Sequence, residues 1–181
     1  MIIVTSNRGK YKEYKDMFGQ IVKLELMLMK YPEEQLETIE KVAERSVYYL
    51  SGIIQTDFFI DDSGLFIDEL GGFPGVYSSY VNKTLGNKGI LKLMEGKRER
   101  SAEFRTCIAY YDGKLSIFTG AVKGIISKSA RGSNGFGFDP IFIPDGYDKT
   151  YAEMTLKEKD SISHRFKAGE AFLKFLTKKA I

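Results

Sequence analysis

One cysteine and one histidine stand in a chain of 181 residues, and their scarcity removes whole classes of chemistry. Cys107 lies inside the apolar run Thr106-Cys107-Ile108-Ala109. It has no second cysteine with which to form a disulfide framework or a thiolate metal site, so a buried, inert thiol is expected. A lone histidine without a His-Glu-x-x-His sequence leaves no zinc centre of conventional spacing. A nucleophilic serine is also disfavoured. There is no Gly-x-Ser-x-Gly elbow, and Ser163 and His164 are sequence neighbours rather than spatially arranged partners. Neither a Walker A loop nor a Gly-x-Gly-x-x-Gly fingerprint is present. No apolar segment reaches membrane-spanning length and no secretory signal opens the chain, so a cytoplasmic protein without a membrane partner is expected. Repeats and low-complexity linkers are absent, and no boundary divides residues 1–181 into separate domains.

What is present supports a sizeable core. Apolar residues make up 43% of the chain and aromatics 13%, enough for one domain or two lobes sharing a core. The net charge of +3 and the pI of about 8.8 suit a small polyanionic substrate. They fall well short of a nucleic-acid-binding arm, and no nucleic-acid partner is expected.

Periodicity and turn chemistry sketch the elements. Strands are predicted over 2–5, 22–27 and 58–62, with 65–67 extending or re-pairing the last. Helices are predicted over 10–18 and 38–50, then over 77–94 with a break near Gly86, and over 164–178. Asp112-Gly113 joins 104–111 to 114–122 in the clearest hairpin signal of the chain, and 125–127 reads as a further strand. Helices alternating with strands around a hairpin predict an α/β fold on a mixed sheet.

Three places concentrate functional chemistry. The first is Thr5-Ser6-Asn7-Arg8-Gly9-Lys10, where a strand ends and a helix begins with cations in its first turn. Cations at a helix N-terminus cost roughly 0.3–1 kcal/mol each unless an anion sits there, so this is a candidate phosphate cradle; solvated surface lysines on a capped helix are the alternative. The second is Asp61-Asp62-Ser63-Gly64 at the end of a hydrophobic strand. Alternation along a strand lets only one of the two aspartates face a given cleft. Mg²⁺ is held by one or two carboxylates plus substrate phosphates, a set that Asp62 and one upstream glutamate could supply. A plain turn is the competing reading.

The third place is the loop Gly132-Ser133-Asn134-Gly135-Phe136-Gly137-Phe138-Asp139-Pro140. Phe136 and Phe138 could stack on a purine, or Phe138 could join Ile141 and Phe142 in the interior. Ser161-Ile162-Ser163-His164-Arg165 then opens the last helix, with Lys159 just upstream, a cluster suited to gripping an anion or a base edge.

Thr5–Lys10, Asp61–Leu65, Gly71-Gly72-Phe73-Pro74-Gly75-Val76-Tyr77-Ser78, Gly135–Pro140 and Ser163-His164-Arg165 together resemble the inosine triphosphate pyrophosphatase family, across nearly the whole chain. That resemblance implies an elongated, two-lobed α/β fold around a long mixed β-sheet with flanking helices, the nucleotide lying in the cleft between lobes. It also implies a homodimer. It makes Glu33 and Asp62 the Mg²⁺ ligands, and Asp62 the base for the attacking water. Thr5, Ser6, Asn7, Arg8, Gly9 and Lys10 become one wall of the substrate site. Asn7 and Lys10 touch the triphosphate there, Ser63 lies nearby, and Arg8 and Lys12 read as surface charge. Phe136, Gly137, Phe138 and Asp139 line the base and sugar pocket with Lys159, His164 and Arg165. The assignment of Glu33 depends on register, because Glu34 and Glu37 share its run. Where many relatives carry a phosphate-contacting helix lysine, this chain has Arg45.

The implied activity is Mg²⁺-dependent hydrolysis of ITP, dITP and XTP to the monophosphate and pyrophosphate. Two alternatives stand beside it. One is a Maf-type pyrophosphatase acting on pyrimidine or modified nucleotides. The other is a nucleotide- or RNA-binding module without turnover, against which the acids argue, since they repel phosphate in the absence of a metal.

Overall fold

The computed structural model describes residues 1–19 and 21–179. Six strands and six α-helices follow in chain order: β1 (Ile2–Val4), α1 (Arg8–Phe18), β2 (Glu25–Met27), α2 (Ile39–Ser51), β3 (Phe58–Ile67), α3 (Ser78–Thr84), α4 (Gly86–Leu93), β4 (Ser101–Tyr111), β5 (Leu115–Ile126), β6 (Phe142–Pro144), α5 (Leu156–Asp160) and α6 (His164–Lys179). The sheet runs β2-β1-β3-β4-β5-β6. β1 is parallel to both neighbours, whereas β5 and β6 are antiparallel, so the sheet is mixed and the fold is α/β as predicted. The chain forms two compact units. The first is Met1–Asp62, Thr106–Gly120 and Arg165–Ile181; the second is Ser63–Arg105 and Ala121–His164.

In the first unit, β1 registers Ile2 against Glu25 of β2 and against Phe58 of β3. Its core gathers Ile3, Tyr14, Phe18, Phe59, Ile108, Tyr110, Ala168 and Phe172. The rings of Tyr14 and Phe59 meet edge to face with centroids 5.2 Å apart, as do those of Phe59 and Phe172. Such pairs contribute about 0.5–1.5 kcal/mol beyond the area they bury. α1 presents Tyr14 and Phe18 to this core at helical spacing, and α2 buries Ile39, Val42, Ala43, Ser46, Val47 and Leu50. The side chain of Thr38 caps α2 by accepting from the Lys41 amide.

In the second unit, Leu65, Ile67, Val81, Ile90, Phe104, Val122, Ile126, Phe138, Ile141, Phe142 and Tyr151 lie in one core. α3 ends at Thr84 and α4 begins at Gly86, at φ +62°, so the break falls where it was predicted.

Residues 65–67 extend β3, the first of the two alternatives. One sequence expectation changes: 125–127 do not form a separate strand, because Ile125 and Ile126 are the end of β5. There Ile126 pairs with Phe142 of β6, a strand whose three residues are too few to show a period.

Candidate active site

In the first unit the site begins at the start of α1. Asn7 is extended (φ −102°, ψ 105°), and its side-chain oxygen accepts from the amides of Gly9 (2.8 Å) and Lys10 (3.3 Å). The Thr5 hydroxyl in turn accepts from the Asn7 amide at 3.0 Å. The helix end is therefore capped by the chain itself, while Ser6 and Arg8 are exposed. The anion that the cations of this turn call for is also internal. Lys10 Nζ sits 2.6 Å from Asp61 Oδ1 and donates to the Asp61 main-chain oxygen at 2.8 Å.

Asp61 is the centre of a buried charge network. Its Oδ2 accepts from the Tyr14 hydroxyl at 2.6 Å and from Arg165 Nε at 2.8 Å. Arg165 Nη1 continues to Glu13 Oε2 at 2.6 Å. Glu13, Asp61 and Arg165 are each 5% exposed or less. Burial alone would push the Asp61 carboxyl up. The Arg165 and Lys10 charges and their hydrogen bonds outweigh it and hold the group well below the usual carboxylate range. Burial would likewise lower the Arg165 guanidinium, but Asp61 and Glu13 raise it. Asp61 is thus permanently ionised and fully engaged, and it is not the residue to accept a proton near neutral pH.

Its neighbour Asp62 projects to the other face of β3 by strand alternation and is half-buried. Tyr31 ties this face to the upstream acids. Burial raises its phenol, and Glu33, then Asp62, then Asp61 raise it further, so Glu33 and Asp62 act on one side chain. Cys107 is buried, and its thiol is raised by burial and then by Glu40, Asp62 and Asp61, which leaves it inert as expected. The other two glutamates of the upstream run are occupied at the surface, Glu34 with Arg45 Nε at 3.1 Å and Glu37 with Lys41 Nζ at 3.1 Å. Among the described residues no group of three His, Cys, Asp or Glu is gathered to hold a metal. Two carboxylates suit a hard divalent cation whose remaining ligands are phosphate and water, and they do not suit a protein-only cage.

In the second unit the glycine loop is strapped in place. The amides of Ser133 and Asn134 donate to the Ala152 carbonyl (3.1 and 3.0 Å), Asn134 Nδ2 donates to Met154 O (2.9 Å) and Asn87 Nδ2 to Gly137 O (3.1 Å). Asp139 Oδ2 accepts from the Phe136 amide at 2.8 Å and from Lys159 Nζ at 2.7 Å. Gly135 has φ +73°, and a Cβ there would overlap the Asp139 carboxylate, so this position requires glycine. Lys159 Nζ also lies 4.9 Å from the centre of the Phe136 ring. Phe136 is half-buried, whereas Phe138 belongs to the core with Ile141 and Phe142. Of the two phenylalanines, Phe136 is the one with a face to offer. His164 is buried and stacks on Phe104 at 4.6 Å with an interplanar angle of 8°.

A model described as the Ham1 family matches residues 1–175. The chain belongs to the Ham1 family. A protein of Thermococcus kodakarensis named dITP/XTP pyrophosphatase is 51% identical over 177 residues, covering 97% of this chain and 96% of the relative. A protein of the same name from Pyrococcus horikoshii is 48% identical over 178 residues, covering 97% and 96%. Among solved structures, the Staphylococcus aureus Ham1 protein superposes with a TM-score of 0.84 at 29% identity, covering 99% of this chain and all of that one.

For this Ham1-family chain, sequence reasoning brought out Asn7, Lys10, Asp62, Asp139 and Lys159 but passed over Glu13, Tyr14 and Tyr31. One signal was available: Lys10 and Tyr14 are four residues apart on one helix, hence on one face. The capping boxes Thr150–Glu153 and Thr155–Glu158 likewise mark short helical turns that periodicity did not register.

Proposed function

We propose that this chain is a pyrophosphatase of nonstandard purine nucleoside triphosphates, hydrolysing ITP, dITP and XTP to the monophosphate and pyrophosphate and so clearing them from the nucleotide pool. The observation that carries the reading is near-full-length similarity to proteins named dITP/XTP pyrophosphatase. In the first unit, Glu33 and Asp62 would hold a divalent cation, Mg²⁺ by the chemistry of the donors. When bound, that ion neutralises charge on the triphosphate. Asp62 takes the proton of a water that attacks the α-phosphorus. The bond from that phosphorus to the bridging oxygen of the β-phosphate breaks, and pyrophosphate leaves with the electron pair. Lys10 offers its remaining ammonium proton to a phosphate oxygen, two having gone to Asp61. Asn7 shapes the turn that presents Lys10, with Thr5, Ser6, Arg8 and Gly9 forming the same wall and Ser63 next to Asp62.

In the second unit the loop with Phe136, Gly137, Phe138 and Asp139 offers a stacking face, and Lys159 and His164 supply polar groups near it. Arg165, expected at the base, is instead given two carboxylate partners. A 6-oxo purine accepts hydrogen bonds at the ring position where adenine carries a donor amine. A site built to donate there leaves groups unpaired with ATP, at about 1–3 kcal/mol each. The working form we infer is a cytoplasmic homodimer that binds neither nucleic acid nor membrane.

The test is incubation with ITP, dITP, XTP, dUTP and ATP plus Mg²⁺, assaying pyrophosphate against orthophosphate. Pyrophosphate from the first three alone supports the proposal. Turnover of dUTP instead moves the chain to the Maf-type alternative, and no product from any nucleotide makes it a binding module.

A further inference from the structure

A buried carboxylate on a strand can rotate about its last torsion, and its two oxygens then trade places. Asp61 is denied that freedom. Tyr14 Oη (2.6 Å) and Arg165 Nε (2.8 Å) both engage Oδ2, which turns Oδ1 toward Lys10 Nζ at 2.6 Å. Tyr14 is itself tightly packed, its ring against Phe18 at 5.4 Å and Phe59 at 5.2 Å, with no exposed surface. Lys10 differs from its neighbours in reaching the surface: its side chain is 16% exposed where that of Asp61 is 0%.

We propose that Tyr14 is a positioning residue for substrate phosphate: its hydroxyl, with Arg165, fixes the Asp61 carboxylate, and that carboxylate aims the Lys10 ammonium at the triphosphate. The proposal rests on the reading in which Lys10 contacts phosphate. α1 supplies the geometry, because Lys10 and Tyr14 lie one turn apart on one face and both reach the Asp61 side chain. Burial, and then the Asp61 charge, push the Tyr14 phenol well up, with Arg165 opposing, so the hydroxyl stays a donor across the working pH range. Lysine is a flexible point charge with three donors, and its usefulness at a phosphate depends on what holds it. Asp61 holds two of those donors through Oδ1 and the main-chain oxygen, which leaves a single direction for the third.

The decisive variant is Tyr14→Phe, which keeps the ring and its packing and deletes one hydrogen bond. In the full-length enzyme with dITP and Mg²⁺, KM should rise about fivefold with kcat within about twofold. That is the effect of one hydrogen bond of about 1 kcal/mol, at tenfold per 1.4 kcal/mol. The same substitution in a Lys10→Met background, or Lys10→Gln should Met not fold, should leave KM where the single Lys10 variant put it. A merely structural hydroxyl would lower the melting temperature and shift KM equally in both backgrounds, and that result overturns the proposal. So does an unchanged KM in Tyr14→Phe.

Should the parent enzyme hydrolyse no nonstandard purine nucleotide, the functional reading falls separately, and calorimetric binding of inorganic tripolyphosphate becomes the readout. A Kd weakened about fivefold by Tyr14→Phe only when Lys10 is present sustains the positioning role. Equal weakening in both backgrounds, or no binding to the parent protein, ends it.

Discussion

The two units each bury an aspartate against a lysine, and they do so in opposite ways. In the first, Asp61 gathers Tyr14, Lys10 and Arg165 from sequence distances of 47, 51 and 104 residues, and Arg165 reaches 152 residues back to Glu13. In the second, Asp139 is held by Lys159, 20 residues away, and by the Phe136 amide, three residues away. The first is a long-range lattice of charges among packed rings. The second is a local clasp that closes one glycine loop. Under the proposed function this difference has a chemical meaning. The triphosphate is the same in every nucleotide, so a rigid set of charges serves it. The base is what varies, and a short loop held by local bonds can be altered there by few substitutions.

The largest expected effect breaks the pairing of Asp61 with Asp62. Asp62→Asn should lower kcat by a factor on the order of 10³ or more, within or beyond the usual range for general-base loss because the cation ligand is weakened too, with little change in melting temperature. Steady-state pyrophosphate release together with calorimetry checks it, and a variant with full activity would remove Asp62 from the mechanism. Arg165→Met should act chiefly on stability, with a rise in KM beside it because Arg165 shares with Tyr14 the fixing of Asp61. It removes a buried counter-charge from Glu13 and from Asp61, which keeps Lys10 and Tyr14, and costs about 3–5 kcal/mol, or a melting-point drop on the order of 10 °C in a chain of this size. Gly135→Ala should cost about 1–3 kcal/mol, because it strains a positive φ and crowds Asp139, and its damage should fall more on KM than on kcat. Phe136→Ala should raise the KM for XTP by roughly fivefold if its half-buried ring stacks on the base, given about 1 kcal/mol, the lower end of the range per stacked base.

The smallest effect is on pH. Asp61 has a depressed pKa in the folded protein, so its stabilisation is fully present above the ordinary carboxylate range and fades only as pH falls through the lower, folded value. The melting temperature should therefore hold steady from pH 7 to about 5 and decline below about 4. A decline beginning near neutrality would mean that Asp61 is not held as described.

Much of this was legible in the chain. The hairpin announced itself through Asp112-Gly113, α2 through Thr38 and its apolar stripe, and the division between α3 and α4 through Gly86. These are short-range signals with fixed offsets. The alternation argument also held at Asp61-Asp62, where one member of the pair turns inward to the Tyr14–Arg165 lattice. What escaped was of two kinds. β6 and α5 have three and five residues, too few for a period to show. The partners of Asp61 lie so far off in sequence that nothing local marks them, and Arg165 was accordingly read with its neighbour His164 as a base contact. The cations at the start of α1 were read as calling for an anion, and for Lys10 a carboxylate from the same chain answers that need.

The reach of Arg165 has a consequence for how the molecule is made. A polypeptide leaves the ribosome N-terminus first at roughly 5–20 residues per second, so Arg165 emerges about 5–20 s after Asp61, 104 residues ahead of it. Through that interval Glu13 lacks the Arg165 guanidinium and Asp61 has Lys10 as its counter-charge, so the lattice of Glu13, Asp61 and Arg165 cannot close. The earliest segments of the chain thus wait for the last helix. A newborn copy would acquire the geometry around Asp61 only once α6 has been made.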